Sequence, residues 1–338
     1  VSDSVGSIGD RLAGSSTSVP HLALAVAVVG VAWSAILIRW SDAPSDVIAF
    51  YRVLFTLLAV APVALLRHRQ AFGRIARRDV VVASVAGVAL ALHFLAWIES
   101  LAWTTVAASV TLVQTQPVFV ALGAALVLDE RVDRRTVAGI VVALFGASAL
   151  TLVQSDASLP AGGSAFVGST LAVIGAVAAA GYVLAGRSLR QRIPILPYVT
   201  VVYAACVATL FVAVSIDGAT VVSVLRGDAS AAGPAGILDA GAFVGYPARE
   251  WLLFLAMALG PGLLGHTVVN WTLEHLRSTV VSVALLGEPV GSTVLGVVLL
   301  DEVVGPGVVV SMAVVLAGIY VTATARANRD GEPEGVPE

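Results

Sequence analysis

The stretch VALLGEPVGSTVLGVVLLDE, Val283 to Glu302, decides how the chain folds. Its composition is that of a helix in lipid, yet Glu288 and Pro289 stand side by side within it. A carboxylate and a helix breaker are both costly inside a bilayer, so their pairing calls for a reason. The same design occurs earlier as TLVQTQPVFVALGAALVLDE, Thr111 to Glu130. Pro117 precedes Asp129-Glu130 by twelve residues, and Pro289 precedes Asp301-Glu302 by twelve. Gly146 and Gly318 each follow their proline by twenty-nine residues. His93 and His266 lie twenty-four and twenty-three residues before those prolines, a register that one inserted residue reconciles. Several matches in one order mark an internal repeat.

Composition sets the solvent. Of 338 residues, 58% are hydrophobic and 12% are charged, and the mean hydropathy is +0.94. A soluble domain carries about a quarter charged residues, and no soluble fold of this length can hide so much apolar surface. The chain is therefore expected to be an all-α integral membrane protein. A net charge of −3 provides no basic field for nucleic acid. The single cysteine, Cys206, rules out an internal disulfide and a cysteine-based zinc site, and it reads as a small core residue.

A spanning helix needs about 20 apolar residues. Ten segments meet that need, at about 20–38, 44–66, 80–99, 105–127, 135–153, 165–186, 196–215, 250–272, 279–300 and 304–325. The polar ends, 1–19 and 327–338, read as disordered tails, and 216–249 as the one long loop, external, with Ala235 to Val244 able to lie in the interface. With the N-terminus inside, the arginines of both tails and of the connections at 67–78, 131–135, 187–192 and 277 fall on the cytoplasmic side. Only Arg39, Arg226 and Arg249 fall outside, an asymmetry that favours cytoplasmic termini in the plasma membrane.

Each repeat then holds five helices, 20–154 and 155–326. Two odd-numbered units in one chain insert with opposite orientation, which yields an inverted repeat with a substrate site near the midplane. Glu-Pro in the ninth helix, the acidic pair after it, a glycine-bearing tenth helix, Trp33-Ser34 and FYRVLFT (Phe50 to Thr56) together resemble the EamA-type branch of the drug/metabolite transporter superfamily. The resemblance covers about 20–325 and implies a ten-helix inverted-repeat carrier of small metabolites, often an exporter of amino acids or related compounds. The chain departs from the pattern in its Asp-Glu pairs, in Gln116 where the second half has Glu288, and in the long loop.

The candidate site follows from what lipid disfavours. An acidic residue at the centre of a membrane helix costs ~2.5–3.5 kcal/mol, so Glu288 is expected to face the bundle. There it can exchange protons or hold an ammonium group, or else act as hydrogen-bonded packing glue. Pro289 removes a helical donor from the carbonyl of Leu285. Gln116 and Pro117 are the first-half counterparts, and Gln116 both donates and accepts without titrating. His93 sits in the third helix and His266 in the eighth, where Asn270 at i+4 shares its face and Glu274 extends the stripe. Each histidine reads equally as a proton relay and as a satisfied structural group. Arg52 must pair or snorkel. Glu99 is its expected mate, with an anionic substrate group as the alternative. Trp97, Tyr51 and Trp271 are candidates for an aromatic wall or for interfacial packing. Gly175, Ala179, Gly181 and Ala185 read as helix-packing positions. The acidic pairs read as helix ends, with a gate contact to loop arginines as the alternative.

No P-loop, HExxH helix or GxSxG elbow occurs, so neither ATP hydrolysis nor a hydrolase is expected, and no cofactor or metal is implied. The expected activity is alternating-access transport of a small polar metabolite, with proton coupling through Glu288. The expected partners are that substrate, the lipid bilayer and protons, with a homodimer compatible. A membrane enzyme acting on a lipid head group and a nucleotide-sugar or phosphate exchanger are the alternatives. The second would want several intramembrane cations, and Arg52 is one.

Overall fold

The computed structural model describes residues 3–127, 133–154, 159–160, 162–190, 192–215, 243–272, 275–276 and 278–330. These residues are helical apart from short connections. In chain order the helices are α1 (Asp3–Trp40), α2 (Ser45–Phe72), α3 (Arg77–Trp103), α4 (Val106–Val113), α5 (Gln116–Val127) and α6 (Arg134–Val153). The second half holds α7 (Ala165–Leu189), α8 (Ile195–Ser215), α9 (Ala248–Met257), α10 (Val268–Thr272), α11 (Ser278–Leu285), α12 (Gly287–Leu300) and α13 (Pro306–Asp330). Between α9 and α10 the chain runs as a π-helix, Ala258–Thr267.

Among the described residues, nine helical spans are long and apolar enough to cross a membrane. The first, Val19–Trp40, has 22 residues, about 33 Å at ~1.5 Å per residue. It is the inner part of a longer helix. α1 starts at Asp3, where a structureless tail was expected, and passes through Pro20. The segment expected at 250–272 is not among the nine, because the π-helix interrupts it. The cause is legible in ALGPGLLGHT. Pro261 lacks the N–H that a regular helix needs, and three glycines let the backbone rewind around it. Most of the long loop, 216–242, and the last eight residues, 331–338, lie outside the described residues.

The contacts between halves follow the repeat. α1 packs on α12 of the second half, and α7 packs on α4 and α5 of the first. α3 lies along α7, and α1 lies along the π-helix and α10. α2 pairs with α8, and α6 pairs with α13. These contacts of one half with the other recur with the roles exchanged, so the bundle is one interdigitated body.

Close crossings depend on residues without side chains. At the α6–α13 crossing a Cβ on Gly318 would lie 2.3 Å from the Ala143 nitrogen, and one on Gly146 would lie 2.7 Å from the Val315 nitrogen. The two glycines matched by the repeat therefore seat the same helix pair. Outward positions are apolar: Leu66, Leu126 and Leu152 are 85%, 82% and 83% exposed. In water such a belt would be a liability, and in lipid it is the solvated face.

Candidate functional site

Both GEP- and QTQP-type segments break where their prolines stand. The fourth span stops at Val113, turns through Gln114 and Thr115, and restarts at Gln116. The span of Glu288 stops at Leu285 and restarts at Gly287. Pro117 and Pro289 then fall in the first turn of a new helix, where a missing N–H leaves no gap in the ladder. The break expected at Pro289 falls at Leu286, whose N–H bonds the Val283 carbonyl at 3.1 Å. Each break creates a helix N-terminus inside the span. Gln116 opens α5, and Glu288 sits in the first turn of α12, where the helix dipole favours a carboxylate.

These ends meet at a cavity of about 90 Å³ between the two halves. Glu288 and Pro261 line it from the second half. Ser34, Arg52, His93, Trp97, Gln114 and Gln116 line it from the first. The Gln114 amide donates to the Glu288 carboxylate at 2.7 Å. Arg52 is 3% exposed, deep in a span, and donates from Nη1 to the Ser34 hydroxyl at 2.7 Å. Its guanidinium also lies over the rings of Phe94 and Trp97, 4.8 and 5.4 Å from the centroids. Arg52 and Glu288 interact electrostatically across the cavity, and each has its own hydrogen-bond partner. His93 bonds the Gly175 carbonyl through Nδ1 at 2.9 Å and stacks on Trp97 with an interplanar angle of 16°. Gly175 is close enough to matter here, since a Cβ would meet the Trp97 backbone at 3.3 Å. The Trp97 Nε1–H is buried with no acceptor among the described residues, a donor left over at the cavity wall.

Several expectations are corrected. Glu99 is not the mate of Arg52. It accepts instead from Trp103 Nε1 at 2.8 Å, one helical turn along α3. The pairing fails because Arg52 projects inward onto Ser34 and two rings. Of the three residues proposed for an aromatic wall, Trp97 alone lines the cavity. Tyr51 stacks on Phe254, with centroids 5.0 Å apart, and donates to the Phe243 carbonyl. Trp271 is half-exposed and packs on His275 at 4.3 Å. His266 ends in the π-helix and Asn270 in α10, but their side chains lie outside the described residues, as does Glu274. Gln114 and Ser34 were missed as site residues. Gln114 had a signal, being a second amide two residues before Gln116 in an otherwise apolar run.

The acidic pair of the second half does more than end a helix. Asp301 adopts a left-handed conformation, φ 54°, and turns the chain back on itself. Glu302 then accepts from the Val106 N–H at 2.8 and 3.1 Å, capping α4 of the other half. Burial outweighs these bonds and the nearby Arg39, and pushes the Glu302 carboxyl above its usual range. The first pair, Asp129-Glu130, lies outside the described residues.

A solved crystal structure is similar over 94% of this chain and 99% of its own, with a TM-score of 0.54 and 21% identity, which shows a shared fold. No curated protein matches the sequence significantly. The repeat, the broken helices meeting at one cavity and the apolar belt agree with a sequence match to one family twice over, at residues 19–152 and 166–324. The chain belongs to the EamA-like transporter family, a multi-pass membrane transporter of the drug/metabolite superfamily.

Proposed function

We propose that the chain is a secondary active exporter of small polar metabolites such as amino acids, working by alternating access with a proton as the coupling ion. The observation that carries this reading is the cavity in which Glu288 of one half faces Arg52, Gln114 and Gln116 of the other. Ligand pockets usually hold about 300–1,000 Å³, whereas a cavity of about 90 Å³ has room for roughly three waters. The halves must therefore separate to admit a substrate, and the groups it meets belong to both.

In this mechanism the interrupted segment at 250–272 is the tenth crossing, and the two five-helix units, 20–154 and 155–326, insert oppositely, with both termini in the cytoplasm. Arg52 and the unpaired Trp97 N–H receive an anionic group of the substrate. Glu288 receives its cationic group or, in the return step, a proton. A protonated Glu288 carries no charge through the apolar constriction, so the empty carrier can reorient. Substrate and proton then compete for one carboxylate, which is antiport.

Among the described residues one arginine lines the cavity, which speaks against a nucleotide-sugar or phosphate exchanger. Counterflow into proteoliposomes, screened across amino acids with and without a pH gradient, tests the proposal. Saturable exchange that a pH gradient accelerates supports it. Non-saturable flux would reject a carrier, and exchange indifferent to the gradient would reject proton coupling.

A further inference from the structure

A second cavity, of about 770 Å³, lies away from the central one, at the ends of three spans. Its walls come from the last turns of α2, the start of α3 and the segment 192–194 just before α8. The spans concerned end at Arg67 and begin at Arg77 and Ile195. The cavity is thus level with the boundary between hydrocarbon and headgroups.

Its charge is one-sided. Arg67, Arg69, Arg74 and Arg192 line it, against the single carboxylate of Asp79. Asp79 is 8% exposed and engaged by Arg192 at 3.2 Å, which leaves three arginines for something else. α2 is kinked at His68, φ −127° and ψ 26°, immediately past the end of its span. The kinked residue His68 and Arg69 after it line the cavity opposite Asp79 of α3. On the lipid side the wall is Leu66, 85% exposed.

We propose that this cavity binds the headgroup of an anionic phospholipid. A phosphodiester anion satisfies arginine forks that no carboxylate among the described residues meets. An exposed leucine at the cavity's edge suits an acyl chain running along α2, which a free phosphate lacks. Basic clusters at the ends of membrane helices commonly serve this role. An excess of arginine on the cytoplasmic side accounts for their number. It does not account for their convergence on one concave site with a buried, already paired aspartate at its base.

The test uses the full chain purified in detergent, titrated with dioleoylphosphatidylglycerol, dioleoylphosphatidylcholine or inorganic phosphate while thermal unfolding is followed. Phosphatidylglycerol should raise the melting temperature saturably, and phosphatidylcholine and phosphate should not. The double variant R69Q/R74Q, at two exposed positions, should lose the shift while melting like the wild type in phosphatidylcholine, and R69K/R74K should keep part of it. An equal response to phosphatidylcholine, a shift reproduced by phosphate, or a shift retained in R69Q/R74Q overturns the proposal. Native mass spectrometry of the wild type with both lipids needs no variant. Equal retention of the two would overturn it as well.

Discussion

The carboxylate of Glu288, in the second repeat, accepts a 2.7 Å hydrogen bond from the side-chain amide of Gln114, in the first. This bond ties together the two broken helices at the level where each restarts. A carrier that rocks one half against the other must break it, and a substrate that takes either partner offers a replacement. In the proposed mechanism the bond is both a contact of the closed state and a place where binding energy is spent differently in the two states.

Glu288→Gln keeps the size and a hydrogen-bonding group but removes the charge. Proteoliposomes with this variant should lose at least about tenfold of pH-gradient-driven flux, ~1.4 kcal/mol in the driven step. Substrate counterflow should fall less. Gradient-driven flux equal to that of the wild type would remove Glu288 from proton coupling.

Arg52→Lys preserves charge and loses the planar surface over Phe94 and Trp97 together with the fork toward Ser34. Cation–π contacts of desolvated groups are worth about 2 kcal/mol. Half-saturation for counterflow should rise roughly tenfold or more for substrates with a carboxylate, and little for analogues in which that group is an amide. A uniform change for both would make Arg52 structural.

Glu302 offers a pH signature outside the spans. Its carboxyl is raised by burial, so the native state binds the proton more tightly than the unfolded chain does. That contribution to stability is complete below the ordinary glutamate range and is lost as pH rises through the higher native value. The melting temperature of the wild type should fall over that window relative to Glu302→Gln, which cannot titrate. Glu302→Ala, which removes the cap on Val106, should cost about 1 kcal/mol below that window and less above it. Parallel pH profiles for wild type and Glu302→Gln would refute this account.

Gly318→Ala places a methyl 2.3 Å from the Ala143 nitrogen. Backbone cannot yield as a side-chain tip can, so α6 and α13 must part, at about 1–3 kcal/mol. Thermal unfolding in detergent should show the loss. The same substitution at Gly181, where the nearest atom is the Ala89 Cβ at 3.8 Å, should be nearly neutral.

Hydropathy and the repeat were enough to establish a helical membrane protein of two related halves, because lipid admits few other solutions to backbone hydrogen bonding and because twelve- and twenty-nine-residue intervals recur in order. The prolines also announced where the spans of Gln116 and Glu288 are interrupted. The partners were a different matter. Arg52 and Glu99 looked matched by depth, yet they face different ways around their helices, and depth carries no azimuth. Gln114 meets Glu288, and Glu302 meets Val106, across separations of 174 and 196 residues. No local pattern encodes such contacts. They exist because one half is seated into the other, and the packing of whole helices, not the propensity of any single one, decides which polar side chains share a cavity.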